Sequence, residues 1–130
     1  MRTAILLFFT AILSACASVD DSKKTITLDS ATRQYERAIR WGEYEAAVSL
    51  RRDSTVTHAD MDHLKKIKVT GYEQVRQKDS ADRSETVLEV KISYYNEYTM
   101  KEKTFIDYQS WKYDPDRKSW YITSPMPAFK

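Results

Sequence analysis

Four regimes of hydrophobic and polar spacing succeed one another along this chain. Behind the basic residue Arg2 comes an apolar run from Ala4 to Leu13, broken only by Thr10. A run of about ten apolar residues is too short to span a bilayer as a stable helix. From Ala17 to Leu28 the chain turns polar and shows no helical apolar period, which predicts a flexible tether on the order of 20 Å long. Asp29 or Ser30 then offers a helix N-cap. Ala31, Tyr35, Ala38 and Ile39 follow on one stripe, while Arg33, Arg37 and Arg40 face outward. Gly42 predicts a left-handed stop. A second short helix, from about Glu43 to Arg51, presents Tyr44, Ala47, Val48 and Leu50 for burial.

The stretch from Asp53 to Lys66 has the weakest period. Ser54–Thr57 reads as extended and His58–Leu64 as a helical turn leading into a strand. Beyond it the period becomes two. Ile67, Val69, Gly71 and Val75 form one face of a first strand, and Leu88, Val90, Ile92 and Tyr94 one face of a second. Lys78–Arg83 is a polar turn between them. A third strand runs from about Lys101 to Tyr113 and a fourth from Trp120 to Thr123, joined across Asp114-Pro-Asp-Arg-Lys118, where proline presets the corner. This hairpin predicts Tyr113 opposite Trp120 and Trp111 opposite Ile122, all on one side. The expected fold is α+β, with two or three N-terminal helices packed on a curved, cone-like, four-stranded antiparallel meander.

Composition narrows what such a domain does. The 21 basic residues, one of them Arg2, stand against 19 acidic ones, a balance that gives no electrostatic reason to expect nucleic acid as a partner. Gly42 and Gly71 are the only glycines, so the chain has no glycine-rich phosphate loop. It also has no Gly-x-Ser-x-Gly surround for a nucleophilic serine. Both histidines fall in one connection with Asp60 and Asp62. His58 and Asp62 are spaced by four and Asp60 and His63 by three, but without a His-Glu-x-x-His motif or a cysteine ligand the pattern predicts no metal site and no cofactor.

The single cysteine changes the picture most. Arg2, the apolar run and the small residues before Cys16 make a secretory leader. A lone exported thiol is usually avoided in an oxidising compartment. Leu13-Ser14-Ala15-Cys16 resembles the lipobox of bacterial lipoproteins. The resemblance implies cleavage before Cys16 and covalent lipid on it, so that residues 1–15 are a signal peptide, 16–28 a lipidated tether and 29–130 a single domain. With Ala17 and Ser18 rather than aspartate after the cysteine, it implies the outer membrane, with the domain facing the periplasm.

Two further likenesses are local or topological. The string Ala38–Ala47 resembles the helix-turn-helix junction of tetratricopeptide repeats, but one unit does not bury its own face, so it reads as an ordinary helical hairpin. Helices followed by a meander that closes on Trp111-Lys-Tyr-Asp-Pro-Asp-Arg-Lys-Ser-Trp-Tyr resemble the nuclear transport factor 2-like, or cystatin-like, fold. That resemblance implies a cone used as a pocket or filled as core, with Tyr94, Phe105, Trp111 and Trp120 as its lining, and with Asp107 and Gln109 on the third strand and Tyr94 on the second as candidates for catalysis, Asp107 foremost as a general base. The expectation is a filled cone. The corresponding function is a noncatalytic module binding an envelope protein through Trp41, Tyr72, Tyr95 and Tyr98. The alternative is a small-molecule carrier or pocket enzyme.

Overall fold

The computed structural model describes residues 13–52 and 58–130, and side chains from Val19 to Arg52 and from Asp60 onward. Among them are three helices and four strands in the order α1 (Leu13–Trp41), α2 (Tyr44–Ser49), α3 (His58–Leu64), β1 (Ile67–Asp79), β2 (Glu85–Asn96), β3 (Glu102–Asp114) and β4 (Ser119–Ile122). The helices pack on one face of an open antiparallel sheet ordered β1-β2-β3-β4, an α+β architecture. The expected leader falls largely outside the described residues, as do the Cys16 side chain, Ser54–Thr57 and the His58 side chain.

The long helix corrects the expected tether. Residues 17–28 are helical and continuous with the amphipathic part of α1, so Asp29 and Ser30 lie in the helix interior rather than at its start. Two features hold this polar half in helical form. Asp20 and Lys24 form an acid-to-base pair four residues apart with the acid first, at 3.9 Å, a pattern that Asp29–Arg33 at 3.1 Å and Glu36–Arg40 at 3.2 Å repeat farther along α1. That order agrees with the helix dipole, although exposed pairs contribute only about 0.2–0.5 kcal/mol each. More decisive is docking: the Trp120 indole donates to the Lys24 carbonyl at 3.0 Å, and Leu28 is buried with the core. The sheet therefore captures the helix well before the expected boundary.

At its other end α1 stops as predicted. Gly42 takes φ +70°, its N–H bonds the Ile39 carbonyl, and the Glu43 N–H reaches the Ala38 carbonyl at 2.8 Å. These two bonds satisfy carbonyls that the last turn leaves open. The reversal lets α2 bury Tyr44 and Ala47 beside Tyr35, Ala38 and Ile39.

The sheet carries the predicted hairpin, with Tyr113 opposite Trp120 and Trp111 opposite Ile122. Along β2 the inward set Thr86, Leu88, Val90, Ile92 and Tyr94 alternates cleanly. Strand β1 does not. Its pairing to β2 shifts between Val69 and Gly71 and again between Gln74 and Arg76, and each extra residue reverses the face on which the following side chains lie. Tyr72 is thereby turned toward the core, and Val75, expected on the buried face, is 55% exposed. From Glu73 onward every residue of β1 is exposed.

Candidate functional site

The concave face of the sheet holds a small polar cluster within its aromatic core. Asp107, Gln109 and Trp111 project from alternate positions of β3 and are buried, Asp107 at 9% exposure. Gln109 organises them. Its amide nitrogen donates at 2.9 Å to Asp107 Oδ2 and at 2.9 Å to the Tyr72 hydroxyl, while its oxygen accepts from the Trp111 indole at 3.4 Å. Only one orientation of the amide satisfies these three bonds, because the carboxylate and the indole N–H demand opposite ends of it. Tyr35 closes the cluster from α1, its ring edge-on to Trp111 at 5.6 Å.

Burial pushes the Asp107 carboxyl up from the usual carboxylate range, and the hydrogen bond from Gln109 only partly offsets this. Burial also raises Tyr35 and Tyr72, with the Asp107 charge adding to both, so the two phenols stay protonated at neutral pH. A raised, inward carboxyl has the chemistry of a general base, but a base acts only with a reacting proton within hydrogen-bond reach. Here Gln109 holds the carboxyl by a hydrogen bond, and the Tyr35 and Tyr72 phenols are close enough to feel its charge.

The segment after β4 fills much of the remaining concavity, a role the sequence reading missed. Phe129 makes edge contacts with Tyr44, Tyr94 and Phe105 at centroid distances of 6.4, 4.9 and 5.7 Å. Met126 lies 3.9 Å from the Tyr35 hydroxyl. Tyr94 both donates to the Lys130 carbonyl and accepts from its N–H, at 2.9 and 2.8 Å, and the His63 ring meets the Phe129 carbonyl at 3.1 Å. The signal was present as two apolar side chains three apart in Pro125-Met-Pro-Ala-Phe129, too short a pattern to stand for a strand or helix.

Tyr94, Trp111 and Trp120 are buried and Phe105 is half-buried, so the expected lining is core. The four aromatic residues expected on one partner surface are not together. Tyr72 is in the polar cluster, and Tyr95, half-buried, lies near the C-terminal end of β2, paired with Lys68 on β1 and Glu102 on β3. Trp41 and Tyr98 are 77% and 74% exposed at the end of the domain where α1 stops and β2 turns into β3. Lys66 stacks over Tyr98 at 5.3 Å, and a groove of about 400 Å³ beside Trp41 is walled by Arg40, Lys65 and Lys68.

At the opposite end a cleft of about 490 Å³ separates the first half of α1 from the β3–β4 turn, with Lys23, Thr27, Tyr113 and Lys118 in its walls. Asp107 lines neither opening. Among the described residues no three His, Cys, Asp or Glu side chains stand together as a metal site, and no helix is long and apolar enough to cross a membrane. Compared with known proteins, the chain matches no family model, no curated protein and no solved structure.

Proposed function

We propose that this chain is a lipoprotein, acylated at Cys16 and held in the outer membrane facing the periplasm, whose domain is a noncatalytic module that binds another envelope protein. The leader, the Leu-Ser-Ala-Cys string and the lone cysteine support the address. One observation supports the act: Trp41 stands exposed at the end of the same helix that contains the Cys16 position. From Cys16 to Trp41 that helix rises about 37 Å at roughly 1.5 Å per residue. An anchor at one end would present Trp41, Tyr98 and Met100 away from the membrane, where large apolar side chains serve as binding anchors.

The address and the act are tested separately. Globomycin, or Cys16→Ala, is expected to accumulate precursor and abolish acyl labelling, and unchanged processing refutes the lipid anchor. A photoreactive phenylalanine at Trp41 is expected to trap one specific protein in intact cells, whereas the same group at Ile106 on the outer sheet face traps none. No adduct from position 41 at native expression refutes the binding module.

A second reading, a small-molecule carrier or pocket enzyme, rests on the inward, desolvated Asp107. It requires Phe129 and Met126 to leave the concave face. Native mass spectrometry of the chain taken from membranes distinguishes the two readings, since a co-purifying small molecule lost in Asp107→Asn would favour the pocket.

A further inference from the structure

The cleft between α1 and the β3–β4 turn has an unbalanced charge. Its acid, Asp20, is paired with Lys24 at 3.9 Å. Lys24 is further spent on the Asp82 carbonyl at 3.5 Å and on the face of Tyr113 at 5.7 Å. The nearby Asp82 carboxylate is turned into its own loop, where it accepts from the Ser80 and Ser84 hydroxyls at 2.7 Å each. Lys23 and Lys118 remain, one on each wall, exposed and with no partner among the described residues. Between them lies the half-buried Tyr113.

We propose that this cleft binds the headgroup of an anionic phospholipid in the membrane that holds the anchor, its phosphate between the Lys23 and Lys118 ammonium groups and within reach of the Tyr113 hydroxyl. The position of the cleft selects this ligand, and here the inference rests on acylation of Cys16. Because residues 17–28 are helical, Lys23 stands only about 10 Å along the helix axis from Cys16, and Thr27 about 16 Å. The polar layer on each side of a bilayer is roughly 5–8 Å deep, and a lysine side chain extends several ångströms toward it. A zwitterionic headgroup fits less well, since its ammonium would meet two uncompensated cations.

The test uses the mature chain in a neutral maltoside detergent, titrated with dihexanoyl phosphatidylglycerol, dihexanoyl phosphatidylcholine or inorganic phosphate. Lysine acetylation is read by mass spectrometry and binding by the Tyr113 ring resonances. Phosphatidylglycerol is expected to slow labelling of Lys23 and Lys118 saturably while leaving Lys91 and Lys101 unchanged. Combining Lys23→Gln with Lys118→Gln is expected to weaken binding roughly thirtyfold, about fivefold for each lysine. Labelling of Lys23 and Lys118 that stays at the rate of Lys91 throughout overturns the proposal. Equal protection by phosphatidylcholine or by free phosphate also overturns it, the latter showing a site for soluble anions. The intact mass reports acylation independently. An unacylated chain that binds phosphatidylglycerol retains the cleft and loses the anchor, and an acylated chain that does not bind it shows the reverse.

Discussion

Phe129→Ala is the most informative single perturbation of the core, because Phe129 belongs to no helix or strand yet is only 6% exposed among three other rings. Truncating a buried phenylalanine costs about 3–5 kcal/mol, of which ring-edge contacts supply about 0.5–1.5 kcal/mol each. Two responses are open to the segment 123–130. If it stays docked, held by the Tyr94 pair to Lys130 and by Lys103 on the Lys130 carbonyl, an unfilled space remains and the cost is near the top of that range. If it detaches, the space vanishes, but Tyr94 and Phe105 become exposed and the hydrogen bonds, about 1 kcal/mol each, are lost. Both routes lead to about 3 kcal/mol or more. Urea unfolding followed by tryptophan fluorescence measures the loss, and a lower m-value in the variant identifies detachment. A loss below about 1 kcal/mol with unchanged m refutes the packing of this segment, and with it the filled concave face.

Two other substitutions test separate links. Asp107→Asn is expected to raise the melting temperature at pH 7 and to flatten its pH dependence. The folded carboxyl is raised above its unfolded value by burial, so its contribution is most favourable at low pH and declines as pH rises through the folded pKa; a calorimetric melting temperature that falls at pH 7 would mean that the carboxylate is stabilising where it stands. Trp120→Phe removes the indole bond to the Lys24 carbonyl and is expected to cost about 1–2 kcal/mol while selectively speeding amide exchange in residues 20–28; uniform exchange rates across α1 would count against docking of its first half.

Much of this was legible in the chain because burial was one-sided and the period uninterrupted. Leu88, Val90, Ile92 and Tyr94 on β2 announce their inner face by alternation alone, whereas on β3 Asp107 and Gln109 face inward and Ile106 and Tyr108 outward, so only Phe105 and Trp111 mark the inner face there. Once Tyr113 faces Trp120 across the Asp114–Lys118 turn, period two sets Trp111 opposite Ile122, the register the hairpin has. Tyr72 was misplaced because a bulge leaves no mark on composition and reverses the face of whatever follows it. The first half of α1 was misread for a different reason. It buries Leu28 while Val19 and Ile26 stay exposed, so its apolar period is almost absent, and the spacing of Asp20 to Lys24 was its one local helical signal. The polar cluster was half visible. Asp107 and Gln109 were placed inward by period two, but their partner Tyr72 comes from another strand.

The helical state of residues 17–28 alters what an anchor at Cys16 would do. A flexible coil lets a domain tumble over the membrane, so every face meets the headgroups in turn and partner and lipid compete for the same surface. A helix gripped by Trp120 and Leu28 narrows that freedom to a pivot at the anchor itself, because the direction of α1 is then fixed to the direction of the sheet. Isolated helices of polar composition are marginal in water, so the grip and the helix depend on each other. One consequence is a division of surface by position. Lys23, Tyr113 and Lys118 occupy the end nearest the proposed anchor, and Trp41, Tyr98 and Met100 the end farthest from it. Lipid and protein would then bind at opposite ends of one rigid body, and occupancy of the first would orient the second without any change in the shape of the fold.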